Sequence, residues 1–241
     1  MTRIERILAN RGYCARARVR SFLGEHDVRS AGTRLTRGDV RVDENAITVD
    51  GQPLDPPTLI LLMHKPLGLV CSHDEREGKL PTGGSPTAGL VYDLLPERYR
   101  RRDPAIATVG RLDKETTGTL LLTDDGQILH RLTSPKHHKP RTYLVTLDRD
   151  LNGQEPALFA SGTLTLQADT KPLLPAEMQP ISPRQARLTL HEGRYHQVRR
   201  MFAATGNHVT ALHRESFGPF NVNNLPLGTW RPLTDDELKT L

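Results

Sequence analysis

The stretch Gly110-Arg111-Leu112-Asp113-Lys114-Glu115-Thr116-Thr117-Gly118 sets one carboxylate between two glycines and beside two cations, Arg111 and Lys114. An apolar run, Leu120-Leu121-Leu122, follows and stops at Asp124-Asp125-Gly126, the pattern of a buried strand closed by a turn. Asp113 is therefore expected in a turn that feeds a core strand, where a scaffold can hold a reactive group rigidly. An aspartate near glycines also has a plainer use, bonding its own backbone within the turn. The turn alone does not choose between the two.

Charge narrows the field. The 241-residue chain has a formal charge of +5, with 36% apolar and 25% charged residues, which suits a folded chain of one large or two smaller domains. No apolar run approaches the ~20 residues of a membrane-spanning helix. Met1-Thr2-Arg3-Ile4-Glu5-Arg6 lacks an apolar signal core, so export is not expected and the cytoplasm is. Cys14 and Cys71 have no CxxC spacing and read as reduced thiols. Residues 1–41 carry ten Arg and no Lys, and Arg98-Tyr99-Arg100-Arg101-Arg102 forms a second basic cluster. Arginine forks pair bidentately with phosphate, so both clusters suit a nucleic-acid partner, although each also fits a solvated basic face.

The pattern along the chain predicts two parts. Ile4, Ile7 and Leu8 mark one helix, stopped by Gly12; Ala15–Leu23 marks a second, with Arg16, Arg18 and Arg20 outward. Alternation around Val40, Val42, Ile47 and Val49 predicts short strands before the turn at Asp50-Gly51, and Asp55-Pro56-Pro57-Thr58 reads as a stiff linker. Beyond it, strands are expected at Leu59–Met63, Tyr143–Leu147, Arg187–Leu190 and Val209–Leu212, with a helix over Tyr195–Thr205 that buries Val198, Met201 and Phe202. Residues 148–183 hold five prolines and two glycines, so only short elements are expected there. No glycine-rich phosphate loop and no regular strand–helix alternation occur, which disfavours a doubly wound dinucleotide fold. An α+β fold on a mixed, largely antiparallel sheet is expected.

G-R-L-D-x-x-T-x-G followed by L-L-L-T-D-D-G resembles the catalytic-aspartate motif of pseudouridine synthases. Arg141-Thr142-Tyr143-Leu144-Val145 and Glu192-Gly193-Arg194-Tyr195-His196-Gln197-Val198-Arg199-Arg200-Met201 resemble that superfamily's other two active-site motifs, in the same order. The wording around them is similar to the RsuA-like branch acting on small-subunit rRNA. The two arginine-bearing helices and hairpin resemble the small RNA-binding module first seen in ribosomal protein S4, with its strand signature present only as Asp27-Val28-Arg29-Ser30-Ala31-Gly32. The resemblance implies an S4-like domain over 1–55 and a catalytic domain over 59–241. It implies isomerisation of a uridine in 16S rRNA, in the uridine-516 class, by a monomer bound to rRNA or a pre-ribosomal small-subunit particle. Alternatives are a related synthase acting on 23S rRNA and a non-catalytic rRNA-binding assembly factor. A two-carboxylate glycosidase is weaker, because no second carboxylate has a place.

The reaction is redox-neutral and requires no cofactor. It breaks the N1–C1′ bond, turns the base and joins C5 to C1′, so the nucleotide must leave its stack. By resemblance Asp113 acts at the ribose, as base or nucleophile, and must be ionised for either; Arg199 is the cation expected to pair with it. Tyr143 offers a ring to stack on uracil, though it also fits as an inward strand aromatic. Arg111, Leu212, His196 and Gln197 are the expected substrate contacts, Leu212 being core by default. Arg16, Arg18, Arg20, Lys136, His137, His138 and Arg141 are the expected RNA contacts. Adjacent His137-His138 is a poor chelate and no H-x-x-x-H pair has a nearby carboxylate, so no metal is expected. Arg200, about 100° further round the helix than Arg199, should serve RNA affinity. Thr119 stands where the family commonly has leucine.

Overall fold

The computed structural model describes residues 1–72, 89–134 and 139–241. Lys136, His137 and His138 lie outside the described residues. Packing divides the chain into two units.

The first unit comprises Met1–Ile60 together with Tyr92–Ala107 and Thr123–Gly126. Helix Ile4–Asn10 buries Ile4, Ile7 and Leu8, the spacing that puts three apolar side chains on one face. Gly12 takes φ of 78°, and a Cβ there would lie 1.9 Å from the Arg98 carbonyl oxygen, so only glycine lets the Glu97–Arg100 helix approach. The second helix begins later than its pattern suggests: Arg16–Arg18 is a 3-10 turn and Val19–Glu25 is the α-helix. Strand Val28–Ser30 pairs with Ile47–Val49, and both contribute to a core with Leu23 and Leu35.

The basic cluster at 98–102 is not a free cationic face. Arg102 is buried, with Nε 2.6 Å from Asp124 Oδ2 and Nη2 donating to the carbonyls of Pro56 and Pro57. Arg98 pairs with Asp55, Arg100 with Asp93 and Arg101 with Glu97. Each guanidinium meets a carboxylate from its own unit. The segment expected to be a linker is correspondingly pinned: besides Arg98 and Arg102, Arg11 donates to the Asp55 carbonyl.

The second unit is built on a mixed sheet. Along it the order is Glu177–Ser182, Gln185–Leu190, Arg141–Leu147, Val209–Phe217, Thr116–Thr123, Ile60–Lys65, Trp230–Pro232. The pairs from Glu177–Ser182 to Val209–Phe217 are antiparallel, while Val209–Phe217 runs parallel to Thr116–Thr123. That parallel seam brings the aspartate strand beside the strand that follows helix Gln197–Ala204. Arg214 faces Gly118 across it, and a Cβ on Gly118 would lie 2.2 Å from the Arg214 carbonyl oxygen. Opposite Arg141–Leu147 the register slips, from Thr142↔Ser216 to Tyr143↔Arg214, so Glu215 is bulged out. Thr119, the departure from the family's leucine, donates its hydroxyl to the Glu215 carbonyl at 2.7 Å. A leucine could not make that bond. In the proline-rich stretch, helix Glu155–Ala160 and strand Glu177–Ser182 form; Pro180 is tolerated because that strand is at the sheet's edge and its register is irregular there.

Candidate active site

The turn carrying Asp113 is held carbonyl by carbonyl. Thr116 N–H donates to the Asp113 carbonyl at 3.0 Å and Gly68 N–H to the Lys114 carbonyl at 2.9 Å. Arg199 Nη2 donates to the Glu115 carbonyl at 3.2 Å, and Lys65 Nζ to the Thr116 carbonyl at 2.9 Å. A loop with its acceptors occupied in this way has little freedom to move its side chain, which suits a group that must be held in one orientation. The Asp113 carboxylate is about a third exposed, and His196 Nε2 lies 3.5 Å from its Oδ1.

One cavity of about 350 Å³ collects most of the residues singled out by sequence. Asp113, Tyr143, Arg199, Arg111, Leu212, His196, Gln197 and Arg141 all contribute to its wall. Tyr143 and Leu212 are buried beneath it, from adjacent strands. His196 reaches it from a left-handed backbone conformation, φ 47° and ψ 34°, stacked on Tyr195 at 3.9 Å between ring centroids. A non-glycine residue held there is strained and over-determined by its surroundings, a common condition at functional sites.

Two expectations change. Arg199 faces the cavity but makes no ion pair with Asp113; it bridges the Glu115 and Val209 carbonyls instead. The helix that carries it begins at Gln197, after the His196 kink, and from there its fork reaches the backbone of the turn rather than the carboxylate. Arg200 is not a free RNA contact, since it donates to Asp169 and to the Gln167 carbonyl. Gln197 is 4% exposed, and its amide bonds Arg194 N–H and Glu192, so it shapes the turn before the helix.

Sequence reasoning missed two buried cations. Lys65 Nζ donates to the carbonyls of Pro66 and Thr116, with Lys114 at 3.5 Å; burial pushes its pKa down, opposed by Asp113 and Glu115. Arg214 is 1% exposed and donates Nε to the Thr119 carbonyl at 2.7 Å. The available signal for Arg214 was its place two residues after Leu212 on one strand, where alternation turns both to the same face. Arg141 is half-buried over the Phe217 ring, and desolvation pulls its pKa down. Burial likewise pushes the Cys71 thiol up, and burial with His64 nearby pulls His213 down.

The clamp yields a prediction. Arg199→Ala should lower the single-turnover rate by roughly 10²-fold, because a sub-ångström drift of the Asp113 turn spoils its aim. Arg199→Lys should recover part of it, reaching one carbonyl but not both. Arg200→Ala should loosen the Asp169 contact and leave the rate within a few-fold of wild type. A larger loss at Arg200 than at Arg199 would contradict the clamp.

A carboxylate on an immobilised turn, an aromatic beneath it and a ring of cations around a nucleoside-sized cavity are the parts of an enzyme acting on a polyanion's base. The chain belongs to the RNA pseudouridylate synthase family, whose model matches residues 59–204. It is 42% identical over 82% of its length to a ribosomal small subunit pseudouridine synthase A of Salmonella typhimurium, covering 81% of that protein. To the protein of that name in Yersinia pestis it is 37% identical over 99% of this chain and 97% of the other. A crystal structure of a pseudouridylate synthase superposes with a TM-score of 0.66 at 33% identity, covering 99% of both chains. The mixed sheet and the enzyme class inferred from the three motifs are thereby established, and the chain is an RNA pseudouridine synthase, an isomerase. No helix among the described residues is long and apolar enough to cross a membrane.

Proposed function

We propose that the chain converts one uridine of 16S rRNA, of the uridine-516 class, to pseudouridine, acting as a cytoplasmic monomer on rRNA or a small-subunit assembly particle. The observation that carries this reading is the convergence of Asp113, Tyr143 and Arg199, 86 positions apart at the extremes (199 − 113), on one cavity. The names of the relatives favour the small-subunit substrate over a 23S target. In this mechanism Asp113 acts at the ribose, as base or nucleophile, Tyr143 stacks on the extruded uracil, Leu212 packs under it, and His196 and Arg111 line its approach. Arg199 acts as a positioning residue through the Glu115 carbonyl. Mapping pseudouridines in small-subunit rRNA from cells with and without this protein tests the proposal: one site should disappear, and an unchanged map would refute it.

In the same reading residues 1–55 grip RNA and residues 59–241 perform the chemistry. Arg16, Arg18 and Arg20 are exposed and, among the described residues, make no ion pair, unlike Arg98–Arg102. Replacing all three by Ala should flatten the slope of log affinity against log salt by roughly 2–3, at roughly 0.7–0.9 for each phosphate no longer neutralised. An unchanged slope would remove these arginines from the RNA interface.

A further inference from the structure

Most of the buried or half-buried cations around the cavity have their protons assigned. Lys65 has three carbonyls within 3.5 Å. Arg194 is held by Asp169 and Glu192, and Arg199 by two carbonyls. Arg214 differs. Among the described residues only its Nε is hydrogen-bonded, its Nη2 is fully buried without a hydrogen-bond partner, and its charge meets the Phe217 ring, 5.5 Å from Cζ, rather than a carboxylate. A guanidinium removed from water in this way is unfavourable unless something compensates it, so an orphaned terminal nitrogen on a cavity wall points to a ligand. Arg214 is Tyr143's partner across the strand pair and stands two residues from Leu212, the two side chains given to the base in the reading above. The bulge at Glu215 keeps Arg214 inside while Glu215 turns out to Arg187, 2.6 Å away. Arg141, also on the cavity wall, is only half-buried and so sits nearer solvent.

We propose that Arg214 is the cation that receives the uracil when it is cut from the sugar. The inference rests on the synthase reading and deepens it. When the N1–C1′ bond breaks, its electron pair leaves with the base. If Asp113 is the base, it takes the C2′ proton and C1′=C2′ forms on the sugar; if it is the nucleophile, its oxygen bonds to C1′. In both cases the base departs as an anion, with charge spread over N1, O2 and O4. The pair is returned when C5 bonds to C1′: C2′ takes its proton back from Asp113, or the Asp113–C1′ bond breaks and frees the carboxylate, and the C5 proton passes to N1. A preorganised, water-excluded guanidinium favours that anion over neutral uridine, and so acts on the barrier rather than on binding. Depth decides the role: a nucleotide entering the cavity base-first presents its base, not its phosphate, to a side chain that is 1% exposed.

The test uses free bases on the full chain, followed by ligand-observed NMR at neutral pH. 5-Nitrouracil is an anion there; uracil and 5-ethyluracil are neutral and bracket it in size. Wild type should bind the anion at least about tenfold more tightly than either neutral base, and Arg214→Met should remove that preference. Arg214→Lys should keep part of it, and Arg141→Met all of it. On rRNA, Arg214→Met should lower the single-turnover rate by about 10²–10³-fold, the loss typical of removing one preorganised donor. Should Arg214→Met not fold, the wild-type preference and its reduction in Arg214→Lys decide the question. No preference in wild type, or its loss in Arg141→Met with retention in the Arg214 variants, overturns the proposal. A chain that makes pseudouridine yet binds all three bases alike loses only this role for Arg214; one that makes none loses the synthase reading itself.

Discussion

Asp113→Asn is expected to abolish pseudouridine formation, by on the order of 10⁴-fold or more, while leaving fold and RNA affinity intact. The amide matches the carboxylate in size, and the turn is held through backbone carbonyls that the substitution does not touch. Among the described residues only the contact with His196, at 3.5 Å, involves the side chain itself. An amide can neither take the C2′ proton nor add to C1′, so both routes left open for Asp113 close together. Tritium release from C5-labelled uridine in rRNA, beside a binding isotherm, measures the two halves. Appreciable turnover with normal binding would take Asp113 out of the mechanism.

The second large effect is on stability. Asp124→Ala should destabilise the first unit by about 3–5 kcal/mol, the usual consequence of removing one partner from a buried ion pair. Arg102 and Asp124 side chains are 1% and 4% exposed, and Arg102 Nη1 already lacks a partner. Loss of the carboxylate would strand the guanidinium and leave Leu59 N–H, now 2.8 Å from Oδ1, without its acceptor. Asp124→Asn keeps that acceptor and should be milder. Replacing the pair by apolar residues of similar volume should regain much of the loss, because the desolvation of both charges is then avoided. Urea unfolding of the four proteins measures this, and a loss for Asp124→Ala below about 1 kcal/mol would mean that water reaches the pair.

Much of the fold was legible because it follows local rules. Ile4, Ile7 and Leu8 are buried at helical spacing, and Tyr143, Val145 and Leu147 are buried at strand spacing. The approach of Asp113, Tyr143 and Arg199 to one cavity was legible only through their motifs, since no pattern within 86 residues reports which strands become neighbours. Charged residues misled where they pointed inward. Arg102 looked like part of a basic run, and its partner Asp124 looked like a turn residue, because ion pairing across 22 positions leaves no periodic trace. Arg214 alternates with Leu212 and so could be read as inward, but that it faces Tyr143 depends on how the opposite strand is registered. In place of the expected Arg199–Asp113 pair, Arg199 bonds the Glu115 and Val209 carbonyls, and backbone acceptors leave no mark in the sequence.

The close approach at Gly118 has a consequence for how this sequence can drift. Any side chain there would meet the backbone oxygen, nitrogen and carbonyl carbon of Arg214, at 2.2, 2.7 and 2.8 Å from the new Cβ, and its φ of 112° already excludes most residues. Backbone atoms are the same whatever residue occupies position 214, so no second substitution at that position can compensate. Gly118 is therefore a site that no change of side chain at position 214 can rescue. In a saturation library it would score as intolerant as Asp113, although it is not part of the cavity wall, and abundance measured alongside activity would tell the two apart: Gly118 variants should be depleted as protein, Asp113 variants only as enzyme.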